Sequence, residues 1–154
     1  MCLRSPYLFD GYLDDSEATA AALVDGWYRT GDRGVLDDDG YLSIVGRLRE
    51  VIRTGGETVA PSEVEAALAT HPAVAEVAVV GVPDPRWGEV VTAVVVLRPD
   101  ATAPTLDDLR ARCTDRLAPY KRPRRLAIVA ELPRTAATGQ VQRTLLVERL
   151  QSTS

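Results

Sequence analysis

The sequence predicts an α+β chain, a hairpin and a small mixed sheet with helices packed on it, preceded by a β-rich segment. Three features carry that expectation. Two Val-rich runs, Val74–Val82 and Glu89–Leu97, are separated by the turn Pro83–Gly88. Asp-Gly and Gly-Gly pairs stand between short apolar segments, the mark of tight hairpins. Helical stripes run over Pro61–Thr70 and Thr105–Leu117.

Taken in order, Asp15–Val24 has helical composition with Asp or Ser as its N-cap. Gly34–Leu36 and Tyr41–Val45 flank Asp37-Asp38-Asp39-Gly40 and read as the strands of a hairpin. The short, charged segment Gly46–Glu50 suggests a domain boundary, dividing residues 1–48 from 49–154. Val51–Arg53 and Glu57–Val59 surround Gly55-Gly56 as a second hairpin. In Pro61–Thr70, Pro61 suits the first turn, and Val64, Ala67 and Leu68 form the buried stripe. Thr105 with Asp108 forms a capping box, and Leu106, Leu109, Cys113 and Leu117 share one face. Leu126–Val129 is a further strand and Val141–Leu150 a closing amphipathic helix.

The 154 residues, 45% hydrophobic and 26% charged, suit one core or one small domain plus a piece of another, and they argue against disorder. No apolar stretch is long enough to span a bilayer, and Met1–Asp10 lacks a basic end followed by an apolar run, so neither membrane anchor nor secretory signal is expected. Cys2 and Cys113 lack metal-site spacing, and a reduced, cytoplasmic protein without a metal centre is expected. His71 precedes Pro72 at a helix end and reads as a helix-terminal residue. The net charge of -4 is uneven: residues 1–50 carry 5 basic and 10 acidic side chains, residues 51–154 carry 13 and 12. Lys121-Arg122-Pro123-Arg124-Arg125 holds four of the cations, either as a solvated surface or as a phosphate-binding patch. A basic run alone in an acidic chain does not support nucleic-acid binding.

Four segments, in order, resemble the adenylate-forming superfamily of acyl- and aryl-CoA ligases, peptide-synthetase adenylation domains and luciferases. Arg4–Tyr12 with Glu17-Ala18-Thr19 resembles a segment late in the large N-terminal domain. Asp25-Gly-Trp-Tyr-Arg-Thr-Gly-Asp32 contains the Tyr-Arg-Thr-Gly-Asp motif. Gly46–Glu57, running on to Glu65, resembles the hinge and the loop after it, and Pro133–Arg143 the terminal catalytic motif. The resemblance implies that residues 1–48 are a remnant of the end of the AMP-binding N-terminal domain and that 49–154 are the mobile C-terminal domain. It also implies ATP with Mg, and CoA, for the complete enzyme, and a missing N-terminal domain as partner in cis or in trans.

By that resemblance Asp32 holds the ATP ribose, Arg47 reaches the ribose or phosphate side, and Glu50 occupies the hinge. Without it, Asp32 is a turn residue and Arg47 a surface salt bridge. Gly55 and Gly56 are either a plain turn or the lining of a pantetheine tunnel that a side chain would block. Trp87 matches a tryptophan that stacks on the CoA adenine, with Tyr120, Arg122 and Arg124 matching the aromatic–basic cluster around it. The other reading leaves Trp87 at a core edge and the basic run solvated.

Two departures limit what the chain is expected to do. The phosphate loop and acyl pocket lie in the part of the family upstream of this segment. Gln140 stands where the family has its adenylation lysine, after an apparent extra residue at Ala136-Ala137. Glutamine donates a hydrogen bond but has no charge, so stabilisation of the adenylation transition state should fall steeply. Lys121, the one lysine, matches a position on the thioester side. The chain therefore reads as the C-terminal part of an acyl- or aryl-CoA ligase, inactive alone. The alternatives are a non-catalytic CoA-binding or partner-binding module, or the corresponding part of a carrier-protein-loading enzyme.

Overall fold

The structure, a computed structural model, describes residues 1–48 and 50–152; Arg49, first residue of the expected second domain, and residues 153–154 at its end lie outside the described residues. The chain divides into two units, Met1–Arg49 and Glu50–Ser154.

The first unit contains β1 (Cys2–Leu3), α1 (Ser16–Ala22), β2 (Leu23–Val24), β3 (Trp27–Arg29), β4 (Asp32–Leu36) and β5 (Leu42–Arg47). Asp15 caps α1 by accepting the Ala18 N–H at 2.8 Å. The helix stops at Ala22, short of the expected Val24, because Leu23 and Val24 are drawn into a hairpin. Leu23 pairs with Tyr28 and Val24 with Trp27, leaving the two-residue turn Asp25-Gly26 with φ of 51° and 77°. Two positive φ values match the right-handed twist of the strands they join. At the expected Asp37–Gly40 turn, the Asp37 carboxylate accepts the N–H groups of Asp39 and Tyr41, and Gly40 sits at φ 86°.

No described side chain of the first unit is buried. Its β4–β5 hairpin leaves Leu36 68% and Ile44 62% exposed. Apolar surface left in water contributes none of the ~25 cal/mol per Å² that burial supplies.

The second unit holds the core. It runs β6 (Ile52–Thr54), β7 (Glu57–Val59), α2 (Pro61–Leu68), β8 (Val74–Asp84), β9 (Gly88–Leu97), α3 (Leu106–Arg112), β10 (Arg125–Ile128) and α4 (Arg143–Ser152). β8 and β9 form a long antiparallel ladder from Val74 opposite Leu97 to Asp84 opposite Gly88. On the other edge of β9, β10 pairs in parallel with Thr92–Val95, and β6 joins at Thr54 opposite Gly88. The sheet is therefore mixed, as the sequence predicts.

Both faces of the ladder are covered, so its apolar runs are continuous rather than alternating. Val79, Val91, Ala93 and Val95 pack with Val64, Leu68, Leu109 and Cys113 on the α2–α3 side. Ala78, Val80, Val82 and Val94 face Leu132 and Leu146 on the α4 side. The Cys113 thiol is fully buried, and burial pushes its pKa up, as suits an inert core thiol.

α3 is shorter than its periodicity suggests. The capping box forms, with Thr105 accepting the Asp108 N–H and Asp108 accepting the Thr105 N–H, but the α-helix ends at Arg112 and turns follow. The Thr105 hydroxyl and N–H hold the Asp108 carboxyl below its ordinary range. Their contribution is thus complete above the usual aspartate pKa, about 4, and is lost as pH falls through the lowered value. β8 runs past the expected Val82 through Asp84, so that the turn shortens to Pro85–Trp87. No helix among the described residues is long and apolar enough to cross a membrane.

In hydrogen–deuterium exchange on the whole chain, amides of β8 and β9 should be the slowest and those of β1–β5 the fastest. Equal protection of the two units would contradict the burial pattern.

Candidate functional site

Two loops of the second unit meet at Trp87. The first is the β6–β7 turn. Thr54 pairs with Glu57, and Gly55 and Gly56 both have positive φ, 60° and 85°. This is the two-residue hairpin geometry that glycine enters without strain. The second is the β8–β9 turn. The Asp84 Oδ1 accepts N–H groups from Arg86 at 3.0 Å and Trp87 at 3.2 Å, while Oδ2 takes the Arg125 guanidinium at 2.9 Å.

The turns are joined directly. Gly55 donates its N–H to the Trp87 carbonyl at 2.9 Å. A Cβ on Gly55 would lie 2.9 Å from Cε3 and 3.1 Å from Cζ3 of the indole, whereas one on Gly56 would meet nothing within 4 Å. Turn geometry and the Trp87 ring therefore already require Gly55, independently of any ligand. Below them, Glu89 Oε2 accepts the Arg53 N–H at 2.6 Å and holds β6 to β9. The Thr54 hydroxyl beside this junction is the buried side-chain polar atom left without a partner among the described residues.

Arg124 places its guanidinium carbon 3.9 Å from the Trp87 ring centroid, and Arg86 lies 5.2 Å away. The two other members of the expected cluster are engaged elsewhere. Tyr120 sits in a 3-10 turn, Pro119–Lys121, and packs against the α2–α3 core. Arg122 donates to the carbonyls of Leu117 and Thr114, closing the turns that follow α3. Arg86, which sequence reasoning passed over, takes its place at Trp87. Asp84 was also missed; its signal was an Asx position two residues before Arg86.

The remaining expected residues lie apart from this cluster. In the first unit, Asp32 and Arg47 are cross-strand partners, with Arg47 Nε 3.3 Å from Asp32 Oδ1. In the second, Glu50 is held by Arg143, whose Nε lies 3.1 Å from its carboxylate. Arg143 also grips Glu65 at 2.8 Å, tying the start of α4 to α2. A single charge on Arg143 thus anchors both the expected hinge residue and the helix behind the terminal motif.

Gln140 lies in a closed loop. Arg134 and Val141 form an isolated bridge, Thr135 N–H donates to Gln140 C=O at 2.9 Å, and Gly139 N–H donates to Thr135 C=O at 2.9 Å. Ala136 and Ala137 are exposed at its tip, where an extra residue costs little. The Gln140 side chain is exposed. The nearest charge in sequence on this loop is Arg134, which donates to Gly139 C=O at 2.7 Å and pairs with Glu76 at 2.5 Å. Lys121 is paired with Glu63. No cluster of metal-ligating side chains occurs among the described residues.

The profile of the AMP-binding enzyme C-terminal domain matches residues 63–138. The chain is 55% identical over 138 residues to a 4-chlorobenzoate–CoA ligase of Arthrobacter, covering 89% of this chain and 26% of the relative. It is 42% identical to the oxalate–CoA ligase of Arabidopsis thaliana, covering 96% and 28%. Its structure matches o-succinylbenzoate CoA synthetase of Bacillus subtilis, solved with an acyl-adenylate intermediate, with TM-score 0.84 and 36% identity over 94% of this chain and 29% of that one. The chain belongs to the adenylate-forming superfamily, in the portion that forms its C-terminal domain. It spans less than a third of the length of these relatives.

Within that superfamily portion, the two glycines of the Trp87 junction are separable. Gly55→Ala should cost about 1–2 kcal/mol for the left-handed backbone and about 1–3 kcal/mol more for the clash with the indole. Gly56→Ala should cost the backbone term alone. Chemical denaturation of both variants checks this, and equal losses would rule out the Trp87 contact as the distinction.

Proposed function

We propose that the chain is the mobile C-terminal part of an acyl- or aryl-CoA ligase and serves its thioester-forming half. The complete reaction would join an acid to ATP as an acyl-adenylate and then transfer the acyl group to CoA. The junction of Gly55, Trp87, Arg86 and Arg124 carries this reading. An indole plane with two guanidinium groups offers a base a stacking surface and offers its phosphates counter-charges. The names of the relatives, CoA ligases for aromatic and small acids, support CoA as the acceptor.

In this reading Asp84 and Glu89 fix the two turns, Trp87 receives the adenine and the basic side chains receive the phosphates. In the Gly55-Gly56 turn, Gly55 packs on Trp87 and the open side at Gly56 would leave room for the thiol arm. Asp32 and Arg47 would serve the ribose and phosphate of the adenylate, and Glu50 the swivel between the two half-reactions. ATP, its Mg and the acid would be held by an N-terminal domain acting in cis or in trans, so the chain alone should not turn over.

Gln140 favours a second reading, a CoA-binding module without adenylation chemistry. The loop carries no cation free of its own carboxylate, because Arg134 is paired with Glu76. Transition-state charge on the α-phosphate would go unanswered there.

Calorimetric titration of the purified chain with CoA and with AMP should give CoA binding in the micromolar to millimolar range, with AMP, which brings a single phosphate, binding more weakly. Trp87→Ala should weaken CoA by about 1–3 kcal/mol, the scale of losing one stacking partner. An unchanged affinity would remove Trp87 from the site. To separate the two readings, the chain is mixed with the N-terminal part of a related ligase. ATP-dependent thioester formation that rises on Gln140→Lys supports the ligase part; CoA binding with no turnover in either form supports the module.

A further inference from the structure

One face of the Trp87 indole that could receive a base is already covered. A stacked ring sits about 3.5–4.0 Å above its partner, and the Arg124 guanidinium carbon occupies that layer, 3.9 Å from the Trp87 centroid. Gly55 approaches only Cε3 and Cζ3, the edge of the indole, and does not compete for this face. The Arg124 backbone is fixed, its N–H donating to Val91 C=O at 2.8 Å, so the side chain alone decides whether the face is open.

The way Arg124 is held differs from that of its neighbours in charge. Arg125 is paired with Asp84, Arg134 with Glu76, and Arg143 with Glu50 and Glu65. Among the described residues, Arg124 has no carboxylate partner; the ring is what it rests on. A guanidinium held by a π face is released more readily than one in a bidentate ion pair, and phosphate offers it that stronger pairing.

Resting on the CoA reading above, we propose that Arg124 is a specificity-determining cap on Trp87. It closes the stacking face to bare bases and yields it to an adenine ligand that brings phosphates for the displaced guanidinium. The exchange is a swap of one cation from ring to phosphate, with no bond made or broken. An uncharged nucleoside must displace the cap without that compensation and is therefore disfavoured. Arg124 thus selects for phosphorylated adenine ligands twice, by attraction and by occlusion.

The test uses the whole chain carrying Trp27→Phe, which leaves Trp87 as the only tryptophan. Arg124→Ala and Arg124→Lys are compared with it by acrylamide quenching of Trp87 and by titration with adenosine and with CoA. Arg124→Ala should increase quenching and tighten adenosine by about 2- to 30-fold, the range spanned by a cation–π contact, while weakening CoA. Arg124→Lys, which keeps the charge with a poorer ring contact, should hold CoA within a few-fold and quench to an intermediate degree. Unchanged quenching in Arg124→Ala overturns the cap. If CoA binds but adenosine does not gain, the cap is wrong and the CoA site stands. If neither ligand binds any of these chains, both are wrong.

Discussion

The pairing of β8 with β9 is the constraint from which the second unit follows. Its residues point alternately to two apolar layers, so neither face tolerates an unpaired polar group. Thr92, the buried polar residue in the middle of the ladder, meets that condition by donating its hydroxyl to the Val90 carbonyl at 3.1 Å. A one-residue slip would carry Val79, Val91 and Val95 away from α2 and α3 and leave both layers mismatched. The register is therefore fixed, and with it the position of the turn at the end of the ladder.

Everything at the candidate site hangs from that turn. Gly88 pairs with Asp84 on one side and with Thr54 on the other, so the β6–β7 turn arrives beside Trp87 through backbone pairing, reinforced by the Glu89 carboxylate on the Arg53 N–H. Parallel pairing of β10, with Arg125 opposite Thr92, sets Arg124 on Val91 and directs the basic run to the same end. Asp84 then ties the parts together, its two oxygens binding the turn and Arg125. Preorganisation of this kind matters because a surface that must be ordered on binding loses affinity to that ordering.

The strength of local signals decides what was legible in the sequence. The Gly55-Gly56 hairpin, the Thr105–Asp108 capping box and the two Val-rich strands rest on short-range chemistry and are readable as written. The helix over Asp15–Val24 was overextended because Asp25-Gly26, the same turn pair recognised at Asp39-Gly40, sits directly behind it. At the site, the resemblance placed Trp87 and Arg124 in one group, and the structure brings them together. It could not show that Tyr120, half-buried, packs against the core or that Arg122 is taken up by carbonyls of the turns after α3. Arg143 was invisible for the complementary reason that its partners Glu50 and Glu65 lie far away in sequence, and Arg86, although it rests on the adjacent Trp87, has no pattern that distinguishes it from other surface arginines.

On the CoA-ligase reading proposed above, charge in this chain supports the two half-reactions unequally. Adenylation needs a cation at the terminal loop, aimed at charge that develops on phosphate and carboxylate. There the chain has neutral Gln140, and the neighbouring Arg134 and Arg143 already face Glu76, Glu50 and Glu65. Freeing Arg143 would strand the partly buried Glu65 carboxylate, a cost that opposes its use as a substitute, whereas the Arg134–Glu76 pair is exposed and binds Arg134 only weakly. At Trp87 the reverse holds. Arg124 rests on a π face and can leave it without exposing an anion. The same fold thus keeps a mobile cation where a nucleotide would be anchored and none where an adenylate would be made. On that reading, the asymmetry favours the thiol side.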